Sequence, residues 1–279
     1  MNENKVTVLM PVYNAGEYLK EAIESILKQT FTNLTLLIID DCSTDGSANV
    51  AKSFDDQRIK LLVNQKNLGL SASLNIGIEN ASTKYIARMD QDDISLPNRI
   101  EEQLNFMEAN RDIGVCGTYI EAFSPSGSRL KKFPIKDADI KVMLLFNSPL
   151  AHPTVMIRKE ILDKYELKYD SNYDGAEDYD LWERMSKFTR MENIPKVLFR
   201  YRLHQSQLSR ISPTKQAKVD KIQKRQYDRL NIEKDDLSGL LNANKKHRLY
   251  NDLSLRKIVY KLYYQNFKSI IKKLLRWDL

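Results

Sequence analysis

The chain has 279 residues, of which 42% are hydrophobic and 29% charged, and this composition supports a globular core and excludes a fully disordered chain. With only two cysteines, Cys42 and Cys116, the chain is not a disulfide-rich scaffold, and their wide separation excludes a C-x-x-C site. This cysteine content is expected of a protein in a reducing cytosol. The net charge of +7 resides in the C-terminal quarter, because residues 213–279 carry 17 Lys and Arg against 7 Asp and Glu, whereas residues 1–212 carry 27 against 30.

The N-terminal residues show no targeting pattern. Met1–Lys5 lead directly into a strand pattern, without the basic and apolar regions of a signal peptide. No apolar run approaches the roughly 18 residues that span a bilayer. We therefore expect a cytoplasmic protein, either free or bound peripherally to the inner face of the cell membrane.

Residues 6–108 alternate strand and helix patterns. The predicted order is strand Val6–Met10, helix Glu17–Gln29, strand Leu34–Ile39, a helix from Asp45–Ser47, strand Arg58–Val63, helix Ser71–Asn80 and strand Tyr85–Met89. Pro11 is expected to end the first strand, and Pro97 to open a further helix that Ser95 caps. This order predicts an α/β fold with an open, mostly parallel sheet and flanking helices.

From residue 113 onward the pattern mixes strands and helices. The predicted elements are strands Ile113–Ile120, Arg129–Phe133, Thr154–Ile157 and Val197–Leu203, and helices Asp137–Phe146 and Asp178–Lys187. After Pro213 the strand signals stop and the pattern is helical. We therefore expect one α/β domain over residues 1–212 and a basic helical region over residues 213–279.

Polar residues follow each of the first four strands. They are Asn14 after the first strand, Asp40 and Asp41 after the second, Asn67 after the third, and Asp90–Asp93 after the fourth. In open α/β sheets, ligands bind outside the carboxyl ends of the strands. The four clusters therefore predict one ligand-binding cleft.

The sequence Asp90-Gln91-Asp92-Asp93 holds three carboxylates within four positions. Carboxylates this close repel one another unless a cation lies between them. Hard oxygen ligands suit Mg²⁺ or Mn²⁺, which proteins bind through one or two carboxylates together with substrate phosphates. The alternative interpretation is a solvated acidic turn.

The loops after the first three strands have the residues of a nucleotide pocket. Tyr13 offers a flat face for stacking on a base, and Asp40 or Asp41 can accept hydrogen bonds from a base or ribose. Asn67–Ala72 leads into a helix N-terminus, where small residues such as Gly69 admit phosphates. Helix capping and ordinary loop structure are the simpler interpretations.

Two further clusters lie near the end of the α/β region. Glu177, Asp178 and Asp180 begin a predicted helix, where an acid can deprotonate a bound hydroxyl or simply complement the helix dipole. Arg202 can neutralise negative charge. His204 can ligate a metal or contact a diphosphate, although a lone histidine is more often structural.

Six motifs occur in a fixed order along the chain. They are Pro-Val-Tyr-Asn, Asp-Asp-x-Ser-Thr-Asp-Gly-Ser, Asn-x-Gly-x-Ser, Asp-x-Asp-Asp, Glu-Asp-Tyr-Asp-Leu-Trp and Tyr-Arg-x-His. This ordered set resembles glycosyltransferase family 2, of the GT-A fold, over about residues 5–210. The resemblance implies an inverting, nucleotide-sugar-dependent enzyme whose catalytic domain is residues 1–212, followed by the basic helical appendage.

The resemblance also implies a role for each candidate residue. The donor nucleotide would contact Pro11, Tyr13, Asn14, Asp40, Asp41, Asn67, Gly69, Asp90 and Arg202. Mn²⁺ or Mg²⁺ would bind Asp92, Asp90 and His204, with Asp90 also on the ribose. Asp178 would be the catalytic base in a direct displacement, and we expect UDP as the nucleotide.

The sequence departs from the family pattern at Ser73, where relatives often have Arg, and this puts one nucleotide contact in doubt. The Gln-x-x-Arg-Trp motif of processive members is absent between Asp178 and Ser209, so we expect transfer of a single hexosyl or N-acetylhexosaminyl group. The expected acceptor is a hydroxyl of a saccharide or a lipid-linked acceptor in surface polysaccharide or glycoconjugate synthesis. Its binding side is expected within Phe146–Asp180, including His152 and Tyr173.

Two other functions stay open on the sequence. A sugar-nucleotide nucleotidyltransferase would share the α/β sheet, but it should carry a Gly-rich loop with Arg and Lys after the first strand, which Tyr13–Glu17 lacks. A non-catalytic nucleotide-sugar binding protein should have lost the acidic residues, which are all present.

The tail from Leu253 to Leu279 places apolar residues on one face of a long helix, flanked by lysines and by Trp277. Such a helix suits an anionic membrane surface. The alternatives are packing on the catalytic domain or on a second subunit of a homo-oligomer. A nucleic-acid partner is not expected, because the basic and aromatic residues follow a helical stripe and not a β platform.

Overall fold

A computed structural model describes residues 5–204 and 215–230. The helix predicted over residues 253–279, which would lie on a membrane surface, is outside the described residues. The strands are β1 (Val6–Val12), β2 (Leu34–Asp40), β3 (Ile59–Val63), β4 (Tyr85–Arg88), β5 (Ile94–Ser95), β6 (Ile113–Ser124), β7 (Gly127–Lys131), β8 (Met156–Arg158) and β9 (Arg190–Arg202). The helices are α1 (Leu19–Leu27), α2 (Ser47–Lys52), α3 (Leu70–Asn80), α4 (Arg99–Ala109), α5 (Asp137–Met143), α6 (Lys159–Lys164), α7 (Glu177–Met185) and α8 (Lys215–Leu230). Across these two ranges, no helix combines the length and apolar character needed to cross a membrane.

The strands form one open sheet in the order β3-β2-β1-β4-β8-β6-β9-β5, and β7 pairs with β6. The half made of β3, β2, β1 and β4 is parallel, as the alternation of strands and helices predicts. In the other half β8 is antiparallel to both of its neighbours, whereas β6 and β9 are parallel. The sheet therefore combines a parallel half with a mixed half.

Helices cover both faces of the parallel half, which explains its continuous apolar strands. Along β1, Val8 packs into the core on one face and Leu9 into the core on the other. The first core includes Ile23 of α1 and Ile100 of α4, whereas the second includes Leu74 of α3 and Trp182 of α7.

Pro11 does not end the first strand, contrary to the sequence prediction, because β1 continues to Val12 beside Asp40. Leu9 accepts a hydrogen bond from the N–H of Met89, and the nitrogen of Pro11, two residues later, faces the same side. The pairing of β1 with β4 ends at Leu9, so no strand on that side needs an N–H from Pro11.

Pro97 is not the first residue of a helix either, because α4 begins at Arg99 and Ser95 does not cap it. Ser95 belongs instead to β5, which pairs with Phe199 and Arg200 of β9. This pairing with a strand about a hundred residues later extends the chain and delays the helix. It also brings β9 to the acid cluster that precedes β5.

Strand β9 begins seven residues before the predicted Val197, at Arg190. The sequence did not predict this extension, because Pro195 within it normally argues against a strand. The register with β6 skips from Thr118 opposite Ile194 to Tyr119 opposite Val197, so Pro195 lies in a bulge where its missing N–H breaks no regular pair.

Candidate active site

The loop after β1 is bonded directly to the acid cluster. The N–H of Tyr13 donates to Oε1 of Gln91 at 2.7 Å, and Nε2 of Gln91 donates back to the Tyr13 carbonyl at 3.2 Å. The main chain of Tyr13 is thereby fixed while its side chain remains 45% exposed. An exposed aromatic ring on a fixed main chain at this edge of the sheet is suited to stacking.

Asn14 joins the loops that follow β1 and β2. It adopts a left-handed conformation with φ of 47°, which Asn tolerates better than most residues. Its N–H donates to Oγ of Ser43 at 3.0 Å, and its Oδ1 accepts the N–H of Thr44 at 2.8 Å. The side-chain oxygen is therefore engaged in holding the two loops together.

Asp40 is 1% exposed at the end of β2. Its Oδ1 accepts the N–H of Ser43 at 2.9 Å, whereas its Oδ2 has no hydrogen-bond partner among the described residues. A buried acceptor without a partner is costly unless a ligand supplies the donor. Asp40 thus retains the hydrogen-bonding capacity that a nucleoside pocket requires.

Asp41, the second acid, organises the loop between β3 and α3. Its Oδ1 accepts from Nδ2 of Asn64 at 2.7 Å and from the N–H of Leu68 at 2.8 Å. Its Oδ2 accepts the N–H of Gly69 at 2.8 Å, and Oδ1 of Asn67 approaches the same N–H at 3.2 Å. Asp41, Asn67 and Gly69 are thus brought together, with both Asp41 oxygens used inside the protein.

The three acids after β4 converge as predicted. One carboxylate oxygen from each of Asp90, Asp92 and Asp93 lies within 4.8 Å of the others. Asp90 pairs with the buried Arg88 at 2.5 Å between its Oδ1 and Nη2. Burial raises the pKa of Asp90, and burial together with its two acidic neighbours raises the pKa of Asp93 well above its usual range.

The end of β9 and the residues just after it, more than a hundred residues later in the chain, complete this cluster. Nε2 of His204 lies 2.7 Å from Oδ2 of Asp92, and Nε of Arg202 donates to the Asp92 carbonyl at 2.7 Å. The N–H of Arg202 donates to Oδ1 of Asp93 at 2.8 Å, while Oδ2 of Asp93 has no hydrogen-bond partner in the described part of the chain. The Arg202 guanidinium also pairs with Glu21.

Asp178 is the second residue of α7 and is partly exposed, whereas Glu177 beside it is only 6% exposed. Oδ2 of Asp178 accepts a hydrogen bond from Oγ of Ser148 at 2.9 Å. Oε2 of Glu177 accepts the N–H of Gly175 at 2.5 Å. Of the two acids, Asp178 is the one with a carboxylate oxygen available to a bound hydroxyl.

His152 contacts Tyr169 and Glu177 and lies within electrostatic range of Asp178 and Asp90. Its Nε2 is 2.9 Å from the hydroxyl of Tyr169, and its Nδ1 is 3.6 Å from Oε1 of Glu177. Burial, reinforced by the charge of Arg88, lowers the pKa of His152 to about 3, although the charges of Asp178 and Asp90 oppose the shift. The site therefore contains a neutral imidazole within electrostatic reach of both acids.

The sequence did not single out Arg88, Ser148 or Tyr169, although Ser148 and Tyr169 lie within the predicted acceptor segment Phe146–Asp180. Arg88 had a signal, since it is a charged residue inside the apolar strand that leads into the acid cluster. Ser148 and Tyr169 stand in unremarkable sequence and reach the site only through the fold. Tyr173, predicted on the acceptor side, is buried with its ring 5.1 Å from Nζ of Lys221 on α8.

Known proteins resemble this chain in sequence. The family model for Glycosyl transferase family 2 matches residues 7–166. An uncharacterized glycosyltransferase of Haemophilus influenzae is 32% identical over 280 residues, which is 96% of this chain and 87% of the relative. WfgD of Escherichia coli, a UDP-Glc:alpha-D-GlcNAc-diphosphoundecaprenol beta-1,3-glucosyltransferase, is 32% identical over 211 residues, or 75% of this chain and 81% of WfgD.

The fold is shared with TarS of S. aureus, crystallised in complex with UDP-GlcNAc. The two structures align with a TM-score of 0.71 at 17% sequence identity, over 98% of this chain and 83% of the crystallised TarS chain 1–349. This likeness confirms the predicted GT-A fold, and the sequence matches decide against a nucleotidyltransferase or a non-catalytic binding protein. The ordered motifs, the strand-end site and these matches together show that the chain belongs to glycosyltransferase family 2.

Proposed function

We propose that this glycosyltransferase moves one sugar from a UDP-sugar to a hydroxyl of a lipid-linked saccharide, with inversion at the anomeric carbon. WfgD takes UDP-Glc and a GlcNAc-diphosphoundecaprenol acceptor by its name, and the TarS crystal contains UDP-GlcNAc. The observation that carries the proposal is the cluster of three carboxylates after β4, together with an accessible acid, Asp178, whose charge and that of Asp90 both act on His152. An inverting transferase needs a site for the departing diphosphate and a base for the attacking hydroxyl.

The nucleoside would occupy the pocket of Tyr13, Pro11 and Asp40. The exposed Tyr13 ring would stack on the base. Oδ2 of Asp40, without a hydrogen-bond partner among the described residues, would accept an N–H from uracil. Asp41, Asn67 and Gly69 would act by shaping the loop beside the nucleotide.

The acid cluster fits a divalent cation by its donor chemistry. Three hard carboxylate oxygens lie within 4.8 Å of one another, and Oδ2 of the buried Asp93 has no hydrogen-bond partner in the described ranges. Asp92, Asp90 and His204 would hold Mn²⁺ or Mg²⁺, which supplies positive charge beside the diphosphate when bound. We expect EDTA to abolish turnover and added Mn²⁺ or Mg²⁺ to restore it; unchanged turnover in EDTA would contradict the cation requirement.

Asp178 would act as the general base. Its Oδ2 is held by Ser148, which leaves Oδ1 for the acceptor hydroxyl. The hydroxyl oxygen bonds to the anomeric carbon, the bond from that carbon to the diphosphate breaks, and the hydroxyl proton passes to Asp178. Attack from the face opposite the leaving group inverts the sugar.

Donor selectivity tests the nucleotide assignment. In a thermal-shift panel of UDP-Glc, UDP-GlcNAc, UDP and GDP-mannose, we expect the uridine compounds to raise Tm and GDP-mannose to leave it unchanged. Asp40→Asn should weaken the uridine response about tenfold in Kd, in line with the loss of one buried hydrogen bond of about 1–1.5 kcal/mol. Stabilisation and turnover with GDP-mannose alone would overturn the UDP assignment.

The acceptor is tested separately by product formation. With the preferred UDP-sugar, a synthetic GlcNAc-diphospho-lipid should accept one sugar, and the product should carry the inverted anomeric configuration. Transfer of many sugars, or retention of configuration, would contradict the proposed reaction.

A further inference from the structure

Helix α8 caps the chain segment that follows α5. Side chains of α8 donate to three consecutive carbonyls just after the end of α5, each at 2.7 Å: Gln226 to Leu144, Tyr227 to Leu145 and Gln223 to Phe146. Residues 144–146 are therefore held in place by α8.

The same helix holds the segment that leads into α7. Nζ of Lys218 donates to the carbonyl of Asp174 at 2.5 Å. The ring of the neighbouring Tyr173 packs beneath the cations of Lys221 and Arg225. On the opposite side, the Asp174 carboxylate accepts a hydrogen bond from Ser71 at the start of α3. Residues 173–174 are thus held between α3 and α8.

Buried charges fix α8 to α7. Asp180 and Glu183 of α7 are fully buried, and Nη2 of Arg225 lies 2.9 Å from Oδ1 of Asp180 and 2.7 Å from Oε2 of Glu183. Arg229 pairs with Glu183 at 3.1 Å. Asp180 also pairs with Arg184 at 2.7 Å and Glu183 with Lys187 at 3.5 Å, so the α8 arginines extend a buried charge network that stabilises α8 in its observed position. The fully buried Ile222 adds apolar contact.

Both segments that α8 holds lead to Asp178. Ser148 comes two residues after Phe146 and donates to Oδ2 of Asp178 at 2.9 Å. Asp178 itself comes four residues after Asp174. Each segment therefore links α8 to the proposed base over only a few residues.

We propose that α8 is a positioning element of the catalytic site, and that Ser148 is the positioning residue through which it orients Asp178. Ser148 holds Oδ2, so that Oδ1 faces the acceptor hydroxyl. The inference rests on the proposed role of Asp178 as base. It extends the functional unit to residue 230, past the boundary at residue 212 that the sequence suggested.

The first test substitutes Ser148 in the full-length chain. Ser148→Ala should lower kcat about 10- to 100-fold, because misplacing a catalytic group by about 1 Å costs up to about 10²-fold. The KM for the UDP-sugar should change less than about threefold. Ser148→Thr keeps the hydroxyl and should recover most of kcat. Ser148→Ala with kcat within twofold of wild type would overturn the role of Ser148.

The second test removes the α8 contacts and does not depend on turnover. Gln223→Leu with Tyr227→Phe deletes two of the three carbonyl contacts, and the exposed Lys224→Gln on the same helix is the control. We expect faster amide hydrogen exchange at residues 144–148, a lower kcat and an unchanged Kd for UDP in the double variant only. Unchanged exchange and kcat in the double variant would overturn the role of α8.

The single variant Tyr227→Phe, which removes one hydroxyl, replaces the double variant if the latter does not fold, and the same criteria apply. If wild-type protein turns over no UDP-sugar, the proposed function fails, whereas the exchange measurement still decides whether α8 fixes residues 144–148.

Discussion

Adjacent residues of the same type have different roles in this site because their surroundings differ. Asp40 and Asp41 end the same strand and are both buried. Three donors from the β3–α3 loop saturate Asp41, whereas Oδ2 of Asp40 lacks a hydrogen-bond partner in the described structure. Glu177 and Asp178 differ in the same way, since Glu177 turns toward Gly175 and His152 while Asp178 remains accessible.

The base assignment makes a kinetic prediction. Asp178→Asn should lower kcat by about 10²–10⁴-fold, the usual contribution of general base catalysis, with little change in UDP affinity. The exposed Asp163→Asn on α6 is a charge-matched control and should retain full activity. An Asp178→Asn enzyme within tenfold of wild type in steady-state assays would refute the assignment.

His152 makes a prediction about acid stability. Burial lowers its pKa to about 3, so between about pH 6.5 and pH 3 the unfolded chain binds a proton there and the folded chain does not. This contribution to stability is complete above about pH 6.5 and is lost as the pH falls, by up to about 1.4 kcal/mol per unit.

Urea unfolding between pH 7 and pH 4 measures this effect. His152→Gln, which cannot be protonated, should show a shallower loss of unfolding free energy with falling pH than the wild type. Equal slopes for the two proteins would mean that His152 is protonated in the folded state.

At the scale of elements, helices secure the strand ends that carry the site. Arg99 of α4 is fully buried, and its Nη2 donates to the carbonyl of Arg88 at 2.6 Å. Its guanidinium also lies 4.9 Å from the ring centre of Phe199 on β9. Arg99 thus connects β4, which leads into the acid cluster, with β9, which ends at Arg202 and is followed by His204.

The contact between α3 and β1 makes a stability prediction. A Cβ on Gly77 would lie 2.1 Å from Cδ1 of Leu9. Gly77→Ala should therefore destabilise the fold by about 1–3 kcal/mol through overpacking, although alanine has the higher helix propensity. Chemical denaturation measures the change. The loss of unfolding free energy caused by Gly77→Ala should be smaller in a Leu9→Ala background. An equal loss in both backgrounds would exclude the steric cause.

At the scale of the whole molecule, charge is divided between a slightly acidic body and a basic tail. The tail residues 253–279, which lie outside the described residues, are predicted to form an interfacial helix. A lipid-linked acceptor would make such a helix useful, because enzyme and acceptor would share one surface.

Flotation with liposomes tests this prediction. The full chain should float with vesicles that contain anionic phosphatidylglycerol, less at high salt, and a chain ending at residue 252 should not. Equal flotation of the two chains would contradict membrane binding by the tail. A change in oligomeric state on truncation would instead favour packing on a second subunit.

The sequence by itself determined the parallel half of the sheet and predicted the location of the candidate site. The apolar run Leu34–Ile39 predicted a strand buried on both faces, and polar residues at four strand ends predicted the cleft. Both patterns can be recognised in short stretches of sequence. A strand buried on both faces is apolar throughout, and parallel strands end at a common edge of the sheet. The order of the motifs then identified the family.

Only the tertiary structure decided which carboxylates remain available and what holds them. The pairing of β5 with β9, the contact between Asp92 and His204, and the hold of α8 on residues 144–146 each join segments far apart in the chain. Single-residue patterns carry no information on such partners, because a hydrogen bond depends on the position of both groups. The tertiary structure also decided that Pro11 continues β1. The pairing with β4 ends at Leu9, so no hydrogen bond from an N–H at position 11 is needed.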